Sequence, residues 1–65
     1  MGLEKKELKL SMKLANIEGH IHLSLGNFSD SYGSFQELRN IALMAFDLET
    51  AMYALKQMGH CAIKL

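Results

Sequence analysis

Leu38, Ile41, Ala45, Leu48, Met52 and Leu55 follow one another at intervals of 3, 4, 3, 4 and 3 residues. That rhythm holds six apolar side chains on one stripe of an α-helix, and no other stretch of the chain imposes so much. The register passes through Asp47 unbroken, so the sequence predicts one helix over about 35–58 rather than two. Ser34-Phe35-Gln36-Glu37 marks its start as a capping box, in which serine and glutamate satisfy each other's backbone amides. Gly59 follows Met58 where a left-handed residue would end the helix.

Upstream the period changes. In Glu7–Leu14, Leu8, Leu10, Met12 and Leu14 alternate with Lys9, Ser11 and Lys13. In His20–Leu25, Ile21, Leu23 and Leu25 alternate with His20, His22 and Ser24. Strict alternation is the pattern of a half-buried strand. Asn16-Ile17-Glu18-Gly19 lies between the two runs and supplies turn residues. The expected elements are therefore strands over about 7–15 and 20–27, the helix, and a short strand over about 61–65. That order gives an α+β fold of two layers, β-β-α-β, with an antiparallel hairpin and a short C-terminal strand packed on one long helix.

Sixty-five residues make a single small domain, 1–65. A chain of this size buries only about 60% of the surface its unfolded form exposes. Small scaffolds compensate with disulfides, metals or oligomerisation. Cys61 is the only cysteine, so no disulfide can form within the chain. The helix is also more apolar than one sheet face requires. Met44, Ala51 and Met58 widen the stripe on one side; Ala42, Phe46 and Tyr53 widen it on the other. Extra apolar surface of this kind marks a contact, and these six residues are the expected contact with a second copy or another protein.

His20 and His22 would share one strand face about 7 Å apart, a spacing that can chelate zinc. Zinc needs further ligands, and the sequence offers only Glu18, Asp30, His60 and Cys61 without a second metal motif. The pair reads as solvent-facing polar residues, and no cofactor is called for. Lys9, Lys13, His20, His22 and Phe28 would form a polar sheet face able to meet single-stranded nucleic acid. Against that role, seven basic and seven acidic side chains cancel, and this face holds no arginine. Catalysis needs a nucleophile with a base in reach. His60 and Cys61 are neighbours that a strand would point to opposite sides, so no enzyme is expected.

Met1–Lys13 has no apolar run of the signal-peptide kind. Met1-Gly2 opens like an acylation site, but Lys6 stands where serine or threonine is needed. With no run of about 18 apolar residues to span a membrane, the expected setting is cytoplasmic. The expectation for function is a small non-enzymatic regulatory protein acting through protein–protein contacts as a homodimer. Size and layout alone place it beside the inhibitors and adaptors that bacteriophages direct at host machinery. Nucleic-acid binding through the lysine and histidine face is the alternative, and metal binding by the histidine pair a third.

Overall fold

A computed structural model describes residues 5–65. The Met1-Gly2 start lies outside the described residues. Three helices follow in order: α1 (Lys5–Ser24), α2 (Phe28–Met44) and α3 (Leu48–Lys64). Among the described residues there is no strand, so the β-β-α-β expectation is overturned. Residues 7–15 and 20–27 fall mainly within α1, the helix expected over 35–58 is divided between α2 and α3, and residues 61–64 are the end of α3.

The reason lies in which faces the apolar residues occupy. On a helix, successive residues turn by 100°. Leu8, Met12, Ala15, Gly19 and Leu23 then share one face, and Leu10, Leu14, Ile17, Ile21 and Leu25 share another. A helix that is apolar on two faces mimics alternation over a short window. Residue type breaks the tie: leucine, lysine, methionine and glutamate favour helix, and α1 holds only two β-branched residues, Ile17 and Ile21.

The turns between helices obey one backbone rule. At the end of α1, the Gly26 N–H donates to Leu23 O (3.1 Å) and the Asn27 N–H to His22 O (2.8 Å). At the end of α2, the Phe46 N–H donates to Leu43 O (3.1 Å) and the Asp47 N–H to Ala42 O (2.8 Å). Both are Schellman motifs, and both need a left-handed residue. Gly26 takes φ +77° and Phe46 takes φ +56°. Asp47 then caps α3, its carboxylate accepting from the Thr50 N–H (3.2 Å) and from the Thr50 hydroxyl (2.6 Å). An aspartate three residues before a threonine is an N-cap signal, and it divides what looked like one helix. Ser34 and Glu37, by contrast, lie inside α2, so the capping box marks no start.

α2 packs along both α1 and α3, which meet each other only sparingly. The core joins Ala15, Phe35, Leu38, Ala54, Met58 and Cys61, with Met12, Leu23, Tyr32 and Tyr53 against it. Gly19 lets α1 sit directly on the Phe35 ring: a Cβ there would meet three ring carbons at 2.7–2.9 Å. Buried Ser31 ties the three helices together. Its hydroxyl donates to Gly19 O (2.8 Å) and accepts from the Cys61 thiol (3.4 Å). Gly59 does not end α3, because Met58 and Cys61 are buried on either side of it and hold the helix on.

Candidate interaction surfaces

α1, with Leu25 in the turn that follows it, carries a continuous exposed apolar band. Facing α2 it buries Leu8, Ala15 and Gly19. Facing away it shows Leu10, Leu14, Ile17, Ile21 and Leu25, each between 49% and 68% exposed. Their spacing of 4, 3, 4 and 4 is helical and stands in the sequence, hidden beneath the alternation. Lys6, Lys13 and His20 run down one flank of this stripe, and Ser11 and Glu18 down the other, by the same 100° rule. Ile17, His20, Ile21 and Ser24 also line a shallow depression of about 380 Å³ on the helix surface, together with Asn16 and Leu25.

Of the six residues expected to make contacts, Ala42, Ala51 and Met58 are buried inside the chain's own core, and Tyr53 is half-buried. Met44 and Phe46 are exposed, 61% and 91%. They sit at the α2–α3 turn beside exposed Leu43 and Leu48. The defining stripe is split in the same way: Leu38 is buried, whereas Leu48, Met52 and Leu55 point outward on α3.

The expected lysine and histidine face is only partly assembled. Lys9 and Lys13 do share a side of α1, where with Lys6 they form one rim of a groove of about 460 Å³. Leu38 also lines this groove, and Asp47, Thr50 and Tyr53 stand on its α3 side. His20 joins that side, its Nε2 sharing a hydrogen bond of 2.5 Å with the Tyr53 hydroxyl. His20 also meets the Phe35 ring edge-on, centroids 5.3 Å apart. Phe28 lies apart at the start of α2, half-buried. His22, two residues from His20, is turned about 200° from it and is half-buried, its Nδ1 without a partner. The pair therefore cannot chelate as a strand pair would. Among the described residues no three histidine, cysteine, aspartate or glutamate side chains gather as a metal site. Cys61 is buried against Ser31, while His60 is exposed.

Among the described residues, no helix is long and apolar enough to cross a membrane. Comparison with protein-family models, with curated proteins and with solved structures found no match.

Proposed function

We propose that this chain is a non-enzymatic module that works through protein–protein contact, and that its first partner is a second copy of itself. One observation carries the reading: α1, which already buries one apolar face against α2, carries a second apolar band on the side turned away from it. Four exposed Leu and Ile side chains on α1, continued by Leu25 in the following turn, form a continuous band, the kind of surface that soluble proteins cover with a partner. A 65-residue domain gains from such cover, because its own core is small.

The area sets the strength. A Leu or Ile side chain offers on the order of 100 Å², and these are half to two-thirds exposed. Two copies would bury roughly 600 Å² of apolar surface from this band, and about 1,000 Å² once a polar rim is added. That lies at the lower limit for a specific interface, which points to dissociation in the micromolar range.

Light scattering coupled to size exclusion, run from about 1 to 500 μM, tests this. The expected result is a mass rising from one chain to two across the series. A single-chain mass at every concentration overturns self-association.

A further inference from the structure

We infer that two copies pair through their α1 helices side by side in parallel, in register, with Lys13 of each copy facing Glu18 of the other. This rests on the self-association proposed above and goes beyond it in fixing the surface, the direction and the pairing. Three observations lead to it.

The outward band has heptad spacing. Leu10, Leu14, Ile17 and Ile21 fall at alternating a and d positions of a two-stranded seam. Lys6, Lys13 and His20 then occupy every g position, and Ser11, Glu18 and Leu25 the e positions. One flank is basic and the other carries the acid.

Direction follows from that asymmetry. Turning a helix about an axis parallel to its length sets its basic flank against its partner's acidic flank. Turning it about a perpendicular axis sets basic against basic and acidic against acidic. Parallel seams pair a g residue with the e residue five positions on in the partner, and Glu18 is five positions after Lys13. The parallel dimer therefore gains this pair twice, whereas the antiparallel one sets the basic flanks against each other and leaves Glu18 without a basic partner.

Shape agrees. A seam residue inserts as a knob between four residues of the facing helix. Ile17, His20, Ile21 and Ser24 are such a set of four, and they line the depression on the outer face of α1. In parallel register the partner's Ile21 fills it.

Disulfide trapping reads the direction. Leu10→Cys places two thiols opposite each other in a parallel pair. In an antiparallel pair centred on the band, residue 10 lies opposite residue 21, and the two residues 10 are about 16 Å apart along the helix. Disulfides need Cα atoms within about 7 Å. Mild oxidation of the full chain carrying Leu10→Cys should yield a covalent dimer by intact mass, with the unsubstituted chain as control for Cys61. Covalent dimer formed only on mixing Leu10→Cys with Ile21→Cys chains overturns the parallel arrangement while leaving the homodimer standing. Failure of both, in a chain that light scattering shows to be a dimer, moves the interface off α1; in a chain that is always monomeric, it removes self-association itself.

Charge reversal supplies a second readout that a folding defect cannot imitate. Lys13→Glu alone and Glu18→Lys alone should each weaken the dimer about fivefold. The two together should restore it to within about twofold. Tighter association in either single variant is the antiparallel result and overturns the proposal.

Discussion

The two faces of α1 are both apolar but differ in what covers them. The face on α2 is made from Leu8, Met12, Ala15, Gly19 and Leu23, and at Gly19 it closes so tightly that an added Cβ would meet the Phe35 ring. The opposite face carries Leu10, Leu14, Ile17 and Ile21, with Leu25 just beyond the helix, and each of these is about half exposed or more. Small residues allow backbones to approach, and large ones supply area when something covers them. The comparison teaches that α1 has one apolar face closed within the chain by fit and a second left open, the one the proposed dimer would cover.

The sharpest way to break this contrast is at Gly19. A methyl added there would lie 2.7–2.9 Å from three carbons of Phe35, whose side chain is fully buried and has nowhere to go. Gly19→Ala should cost about 2 kcal/mol even after the helix-propensity gain, or roughly 10 °C in Tm. Gly59→Ala is the control. It is also inside a helix but has nothing within 4 Å of the new carbon, and it should gain about 1 kcal/mol. Thermal melts of the two variants should move in opposite directions; equal shifts would mean that α1 does not sit on Phe35.

The outer face should answer differently. Leu14 is 59% exposed, and glutamine is nearly as good a helix former as leucine. Leu14→Gln should weaken self-association by about tenfold or more, read by light scattering. Its melting temperature at concentrations low enough for the single chain should change by no more than a surface substitution does, about 0.5 kcal/mol. A large loss in the dilute melt would show that the outer face also supports the fold, and the division between faces would fail.

The two turns sharpen the comparison from another side. They share the same hydrogen bonds, yet glycine fills the left-handed position in one and phenylalanine in the other. A side chain at positive φ costs about 1 kcal/mol or more, and the Phe46 ring, 91% exposed, recovers none of it by burial. Phe46→Gly should therefore stabilise the fold by about 1 kcal/mol, seen as a rise of roughly 5 °C in Tm. It should leave the dimer unchanged, because the turn lies off the outer face of α1. Loss of the dimer in this variant would move the interface to the α2–α3 turn, where Met44 and Phe46 are exposed together.

How much of this was legible in the sequence depends on what each residue reports. The helical stripe over 38–55 is real, but half of it belongs to α2 and half to α3, and only Asp47 with Thr50 records the division. Periodicity measures angle, and a turn with a Schellman motif can restore the angle on its far side. In α1 the alternation arose from two apolar stripes interleaved. A two-residue window cannot separate that from a strand, whereas the scarcity of β-branched residues could have done so. The surplus of apolar surface is legible in the sequence, but its placement is not: the stripe at 38–55 points to one helix, whereas exposed apolar residues lie on α1 as well as on α3. The histidine pair depended wholly on the strand assignment and dissolved with it.

The smallest effect expected concerns the cap that distinguishes the second turn from the first. Asp47 accepts two hydrogen bonds from Thr50, and these hold its carboxyl below the ordinary value of 3.8, the side-chain bond contributing most. Asn27, in the matching place, makes no side-chain cap. A carboxylate whose folded pKa is depressed adds stability that is present above its unfolded value and is lost as pH falls through the folded one. The chain should therefore lose a little stability as pH falls below the ordinary aspartate range, measurable as a steeper fall of Tm than in Asp47→Asn, which keeps an acceptor but has no proton to gain. Because the carboxylate sits at the surface, in reach of solvent, the difference should be small and should shrink in salt. Asn27→Ala should leave the acid limb as it is, since no cap is removed there. An acid limb that survives Asp47→Asn unaltered would assign the effect to other carboxylates and leave the two turns equivalent in everything but glycine and phenylalanine.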